Sequence, residues 1–152
     1  MKPISVSARF HQTPEAVWDF IFGDGLQRVA AASKMVERIE DYELRSDGTP
    51  RYTMVMKAGP LRLRSVSDYL VYERPRRSVN SVIGGLFDGG TAYIDLHPEG
   101  LGTRADMHIE LAPRNLPKRL VMMLLRPLLV PMLAADFRRW VPAAEQYRRS
   151  KD

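Results

Sequence analysis

The sequence LVMMLLRPLLVPMLAADFRRW occupies residues 120–140 and decides the fold. Its apolar residues recur at spacings of three and four, which is the period of a helix that presents one face to a core. The apolar members of this stripe are Leu125, Leu129, Met132, Leu133, Phe137, Trp140 and, beyond the quoted segment, Ala144, and Asp136 is its one charged member. The spacing predicts a long C-terminal helix packed on the rest of the domain.

The same segment is more apolar than one packed face requires. A membrane span needs about 20 uninterrupted apolar residues, whereas residues 120–135 include Arg126, Pro127 and Pro131. The pattern therefore disfavours a span. Each proline removes an amide donor and clashes one turn back, which predicts either a kinked helix or two helices that meet near Arg126 and Pro127.

Three residues of the segment, Leu124, Leu128 and Val130, lie off the packed face. They need a second surface, for which loops, another subunit and a bound apolar molecule are the alternatives. Arg126 lies between apolar turns of the predicted helix, and we expect its long side chain to extend outward to solvent.

The chain before this helix begins with a strand and a capped helix. Residues 4–10, ISVSARF, alternate apolar and polar side chains, which is typical of a strand with one wet face. In the following TPEAVW, Thr13 is a good N-cap and Pro14 suits the first helical position. Gly23 and Gly25 are expected to end this helix, and residues 26–32 predict a second, short one.

The middle of the chain, residues 35–113, carries turn signals about every ten residues between alternating or β-branched runs. This pattern predicts about six antiparallel strands joined in a meander. In the last hairpin, a register with His97 opposite Gly102 makes Asp95 face Arg104, whereas a shift by two residues makes it face Asp106. Asp95 opposite Arg104 is an attractive pair, whereas Asp95 opposite Asp106 is a repulsive one. We therefore expect the register with His97 opposite Gly102.

Together these elements predict an α+β fold formed by a single domain over residues 1–152. It is a helix-grip, in which a curved seven-stranded antiparallel sheet wraps around the long C-terminal helix, with two short helices after the first strand. A curved sheet cannot touch a straight helix everywhere, so we expect an interior cavity between the two.

This chain resembles the START-like helix-grip superfamily, also called SRPBCC or the birch-pollen-allergen fold. The resemblance is carried by ISVSARFHQ, by TPEAVWDFI and by LLVPMLAADFRRWVPAAEQ. Within the superfamily it is similar to the bacterial polyketide cyclase/dehydrase and lipid-transport group. The resemblance implies the helix-grip fold and ligands such as lipids, aromatic polyketides, quinones or hormones, and it implies no catalytic residue.

Composition excludes several classes of protein. The chain has no cysteine, so disulfides and thiolate chemistry are excluded. The net charge is +5, but the basic residues are scattered without interleaved aromatics, so nucleic-acid binding is not expected. The N-terminal MKPISVSARF lacks an apolar run, and we expect a cytoplasmic protein.

The expected ligand site lies between the sheet and the helix. Its predicted lining is Met54, Met56, Leu63, Ser65, Ser67, Tyr69, Ile94, Met107, Ile109, Leu129, Met132, Leu133, Phe137 and Trp140. Methionines adapt to guests of varying shape, and the hydroxyls of Ser65, Ser67 and Tyr69 are candidates for orienting a ligand. Asp136 either faces water at the cavity entrance or is paired with an arginine and has a functional role.

Other chemistry is not indicated. His97 and His108 belong to the polar face of the sheet, outside the cavity, and residues 85–90, GLFDGG, lack the lysine of a phosphate-binding loop. We therefore predict no metal site and no cofactor.

Three functions remain open. The first is a carrier or binder of a hydrophobic small molecule. The second is a polyketide cyclase, aromatase or dehydratase, with Tyr69 or Asp136 polarising a carbonyl. The third is a membrane-surface or complex-associated adaptor, with Lys118, Arg119 and the oily segment in transient contact with an anionic membrane. A monomer and a homodimer are both compatible with the sequence.

Overall fold

In the computed structural model, which describes residues 2–151, one antiparallel sheet of seven strands curves around a long helix. The elements in chain order are β1 (Ile4–Phe10), α1 (Pro14–Phe22), α2 (Leu26–Ala32), β2 (Val36–Leu44), β3 (Pro50–Ala58), β4 (Leu61–Glu73), β5 (Arg77–Ile83), β6 (Thr91–Glu99), β7 (Gly102–Glu110) and α3 (Leu116–Lys151). The strands are ordered β1-β7-β6-β5-β4-β3-β2. The expected α+β helix-grip is confirmed.

The first strand and helix follow from local chemistry. Every second side chain of β1 is buried, from Ile4 to Phe10. The Thr13 hydroxyl accepts a hydrogen bond from the Ala16 amide at 3.3 Å, with Pro14 as the first helical residue. A side chain at Gly25 would place its Cβ 2.5 Å from the Cα of Phe20, so glycine is needed where α2 leaves α1.

The strand β2 forms an irregular edge of the sheet. Its pairing with β3 shifts register twice, between Val36 and Arg38 and again between Glu40 and Glu43. At the second shift, Asp41 has a φ of 53°, in the left-handed region that aspartate tolerates better than most residues. These irregularities interrupt the regular pairing of β2 with β3.

The predicted register of the β6–β7 hairpin is wrong by two residues. Asp95 pairs with Asp106, and His97 pairs with Arg104. The turn decides this register, because Gly100, with a φ of 62°, and Leu101 form a two-residue loop between Glu99 and Gly102. A shift of two residues leaves every side chain on its predicted face.

Neighbouring cations make the like-charge pair tolerable. Arg77 of β5 lies 3.6 Å from Asp95. Arg104 and His97 each lie 3.3 Å from Asp106, which also accepts a hydrogen bond from the Ser7 hydroxyl at 2.6 Å. The acidic pair is therefore part of a charge network rather than an isolated repulsion.

The helix α3 runs without a break from Leu116 to Lys151, so the predicted alternative of two helices is wrong. Asn115 begins the helix, since its side-chain oxygen accepts from the Lys118 amide at 3.0 Å. Pro127 and Pro131 are exposed, whereas Met122, Leu129 and Phe137 on the opposite side are buried. Buried residues before, between and after the two prolines hold the helix together. Solvent can reach the carbonyls that the prolines leave without a helical donor.

The three apolar residues that the sequence places off the packed face, Leu124, Leu128 and Val130, have different surroundings. Leu124 and Leu128 are 80% and 60% exposed, whereas Val130 packs against the core. Arg126 does not extend into solvent as expected. Its guanidinium donates to the carbonyls of Lys2 and Pro3, at 2.9 Å for Pro3, and so fastens the start of β1 to α3.

Candidate functional site

A cavity of about 150 Å³ lies between the sheet and α3. Strands β3 to β7 form one wall, and the inner face of α3 forms the opposite wall with Leu133, Phe137 and Trp140. Aliphatic, aromatic and methionine side chains make up most of the lining. The expected interior space is therefore present, and its character suits an apolar guest.

Most residues of the predicted lining surround this cavity. They are Met54, Met56, Ser65, Ser67, Tyr69, Ile94, Met107, Ile109, Leu133, Phe137 and Trp140. Their contact with a ligand stays a prediction.

Three residues of the predicted lining lie elsewhere. Leu63 lies beyond the end of the cavity and lines a groove on the surface. Leu129 is buried in the packed core, and Met132 is 44% exposed on the outer side of α3. Side-chain alternation and helical spacing gave the correct side of each element for Leu63 and Leu129, but neither pattern shows where along the element the cavity ends.

The polar part of the lining is formed by neutral groups on β3, β4 and β5. The hydroxyls of Tyr52 and Tyr69 are hydrogen-bonded to each other at 2.8 Å. Ser65, Ser67 and Asn80 lie beside them, and all three are buried. Burial raises the pKa of Tyr52, and it raises the pKa of Tyr69 well above its usual value. Both phenols are therefore neutral near pH 7 and able to donate or accept a hydrogen bond.

Asp136 is the ionisable group of the lining other than these phenols, and it is already bonded. Its carboxylate accepts hydrogen bonds from the Ser33 hydroxyl at 2.6 Å and from the Lys34 amide at 2.8 Å. The Ser33 hydroxyl accepts in turn from the amides of Met35 and Val36. Arg139 lies 3.3 Å from the carboxylate. The pairing with an arginine is confirmed and the position in water is wrong, because Asp136 is 5% exposed and joins α3 to the start of β2.

Several lining residues were not predicted from the sequence. The helices α1 and α2 contribute Ile21, Phe22, Leu26 and Val29, and β3 contributes Tyr52. The alternation that placed Met54 and Met56 on the inner face of β3 also places Tyr52 there, so this residue could have been found. The helices gave no such signal, because their apolar faces predict burial and not the cavity they face.

A second hollow adjoins the cavity at the surface. It is a groove of about 500 Å³ between the first turns of α3 and the glycine-rich connection of β5 to β6, residues 84–90. Phe87 lines both hollows and is itself buried. In the same connection, the Asp88 carboxylate accepts from the Gly84 amide at 2.7 Å. Phe87 is therefore the residue that the linings of the interior cavity and the groove share.

The histidines lie away from the cavity, as the sequence predicted for His97 and His108. His97 faces Asp106 at 3.3 Å, and a ring nitrogen of His108 lies 2.8 Å from the Ser5 hydroxyl. Among residues 2–151, no three histidine, aspartate or glutamate side chains gather as a metal site would require.

No protein-family model matches the chain, and no curated protein matches it in sequence. Solved structures do match over nearly its whole length. A START superfamily protein from Mycobacterium smegmatis superposes with a TM-score of 0.72 at 12% identity, covering 93% of this chain and 98% of that one. A protein from Thermus thermophilus gives a TM-score of 0.70 at 20% identity, with coverage of 95% and 94%.

The di-domain ARO/CYC StfQ from the steffimycin biosynthetic pathway shares the same architecture. It superposes with a TM-score of 0.65 at 16% identity, covering 97% of this chain and 52% of that one. At these identities the likeness concerns the fold alone. The chain has the START-like helix-grip fold, as the resemblance implied.

Proposed function

We propose that the protein binds a neutral hydrophobic small molecule that carries a carbonyl or hydroxyl group. The observation behind this proposal is the apolar cavity between sheet and helix, with a cluster of uncharged hydroxyls on one wall. The structural likeness to a START superfamily protein and to an ARO/CYC protein supports the same class of ligand.

The charges of the lining favour a neutral ligand. None of the described residues that line the cavity is cationic, and the carboxylate of Asp136 is already bonded to Ser33 and Lys34. An anionic headgroup placed there would be buried without a partner, which costs several kcal/mol. A ketone, quinone or phenol oxygen needs only one of the hydroxyls of Tyr52 or Tyr69.

The size of the cavity also limits the ligand. A cavity of about 150 Å³ has the size that holds a single benzene-like ring, so a bicyclic or larger guest also requires space from the adjoining groove or movement of lining side chains. Displacement of Phe87 would join the two hollows. The proposal therefore assigns the ring system and its oxygen to the cavity and any apolar tail to the groove.

Three naphthalene compounds test the proposal by isothermal titration calorimetry. We expect 2-naphthol to bind at least about tenfold more tightly than 2-naphthoate at pH 7, because the carboxylate would be buried unpaired. Tyr69→Phe should weaken 2-naphthol binding about three- to tenfold, which is the usual contribution of one neutral hydrogen bond. It should leave the binding of naphthalene unchanged.

Tyr72→Phe provides the matched control, because Tyr72 is also on β4 and lies outside the lining of the cavity. Its phenol is neutral as well, since burial raises its pKa to about 12. A protein that binds none of the three compounds, or binds 2-naphthoate best, would contradict the proposal.

A carbonyl-directed reaction of the cyclase, aromatase or dehydratase type is the second candidate. It is favoured by the pair of tyrosine hydroxyls at the cavity, which can donate to a carbonyl oxygen as electron density develops on it. Both oxygens of Asp136 already accept hydrogen bonds, which favours a positioning role for this residue. For a substrate that is turned over, Tyr69→Phe should reduce kcat far more than it weakens binding.

A further inference from the structure

The first half of α3 presents an apolar face to the outside of the molecule. Its members are Leu116, Leu120, Val121, Met123, Leu124, Leu128 and Met132, each between 44% and 80% exposed. We call this set the outer face of α3. A contiguous apolar surface of this kind usually marks a site of interaction.

The width of the outer face distinguishes a flat apolar medium from a partner helix. At 100° per residue, its members and the exposed Pro127 and Pro131 spread over about half of the helix circumference, along about 24 Å of its length. A contact between two helices uses a narrower stripe. The outer face therefore suits an apolar medium in which this entire half of the helix surface can be buried.

The charges around the outer face identify the kind of surface. From Leu111 to Ala135 the chain contains four cationic residues and no acidic one. Two of these, Arg114 and Lys118 at the start of α3, have side chains 70% and 58% exposed. The carboxylate near them, Asp88, is 3.9 Å and 4.0 Å away. Anionic lipid headgroups complement such a cationic border, and a second copy of this chain would repeat its cations.

The helix is long and apolar enough to cross a membrane, but its packing favours a position at the surface. Its inner face, with Met122 and Leu133, is buried against the sheet. Pro127 and Pro131 also leave the carbonyls of Met123 and Pro127 without helical donors. Such carbonyls are costly in hydrocarbon, whereas water and headgroups can satisfy them at the interface.

We propose that the outer face of α3 docks on an anionic membrane surface, with its leucines and methionines at the boundary of headgroups and acyl chains. The same turns of the helix, with Pro117 and Val121, line the groove that leads to Phe87. Docking therefore brings the groove to the bilayer, where an apolar ligand can enter. The docking is independent of the proposed function, and only this route of ligand entry rests on it.

Vesicle flotation of the whole protein tests the docking. We expect it to float with phosphatidylcholine vesicles that contain about 30% phosphatidylglycerol, to float less at high salt, and to bind pure phosphatidylcholine more weakly. The double variant Leu124→Glu, Leu128→Glu should lower partitioning at least about tenfold, since two buried leucines are lost. Lys118→Gln with Arg119→Gln should weaken binding to the anionic vesicles.

Leu101→Glu is the matched control, because Leu101 is 96% exposed at the tip of the β6–β7 hairpin, away from the outer face. It should float like the unaltered protein. The glutamate variants should still bind 2-naphthol, which separates a failure of docking from a failure of the cavity. The proposal is overturned if the protein stays in the bottom fraction with anionic vesicles. It is also overturned if light scattering shows a dimer that the double variant dissociates.

Discussion

The buried carboxylate of Asp136 connects three parts of the chain through a few hydrogen bonds. It holds the Ser33 hydroxyl and the Lys34 amide, and Ser33 holds the amides that begin β2. The sequence placed Asp136 on the inward stripe of α3, which is correct, but it could not show these partners. They lie more than 100 positions away in the chain, and local patterns carry no information about such contacts.

Removal of this carboxylate should cost stability. In Asp136→Ala, the buried Ser33 hydroxyl and the part-buried Lys34 amide lose their acceptor, so we expect a loss of about 2–4 kcal/mol in the free energy of unfolding. Asp136→Asn should lose less, because its amide oxygen can still accept from Lys34. Urea denaturation measures both variants.

Arg138→Ala is the control for this pair, since Arg138 is an exposed residue two positions along the same helix. Its effect should stay within about 0.5 kcal/mol. Equal stability of Asp136→Ala and Arg138→Ala would mean that the carboxylate does not hold β2 against α3.

Among the elements, the strands and short helices were predictable because their signals are local. The alternation of β1 and the Thr13 cap with Pro14 predicted β1 and α1, and the recurring turn signals of residues 35–113 predicted the meander. The β6–β7 register was not predictable from charge pairing, because the Gly100–Leu101 turn and Arg77 of the neighbouring strand override it. Turn geometry and a third strand thus outweighed a single pair of side chains.

The continuity of α3 was also beyond local signals. Pro127 and Pro131 would divide an isolated helix, whereas burial of the opposite face holds this one together. We expect Pro127→Ala to raise the free energy of unfolding by about 1–2 kcal/mol, because it restores an amide donor for the Met123 carbonyl and removes a clash. Urea denaturation measures the change.

Pro98→Ala serves as the comparison, since Pro98 is an exposed proline in β6 and its replacement restores no helical hydrogen bond. This variant should not become more stable. If Pro127→Ala is the less stable of the two, the shape that Pro127 gives to α3 is itself required for packing on the sheet.

For the whole molecule, the space between sheet and helix was predictable from the order of the elements, but its extent was not. Phe22, Leu26 and Val29 close the cavity from α1 and α2, and Phe87 closes it from a connection between strands. These residues come together only in the folded chain. The sequence therefore predicted the two main walls of the cavity, the sheet and α3, but not the residues that close its ends.

A larger side chain inside the cavity should lower the affinity for a ligand without a large change in the stability of the fold. Ala92 lines the cavity from β6, and Ala92→Ile should lower the affinity for 2-naphthol at least about tenfold by occupying its place. The free energy of unfolding should change by less than about 1.5 kcal/mol, because new apolar burial offsets any strain. Calorimetry and urea denaturation measure the two effects.

Thr91→Ile is the control for this substitution, because Thr91 is the preceding residue of β6 and points to the other face of the sheet. It should leave the affinity unaltered. If Ala92→Ile binds 2-naphthol as tightly as the unaltered protein, the compound occupies the groove outside Phe87 instead.

The irregular β2 has a consequence for the behaviour of the protein at high concentration. An open sheet that ends in a straight strand offers a regular row of amides and carbonyls, a template for cross-β assembly between molecules. The two register shifts of β2 and the left-handed Asp41 interrupt that row, and the charged side chains of Glu37, Arg38 and Glu43 repel an incoming strand. The β2 edge of the open sheet is therefore a poor template for fibril growth.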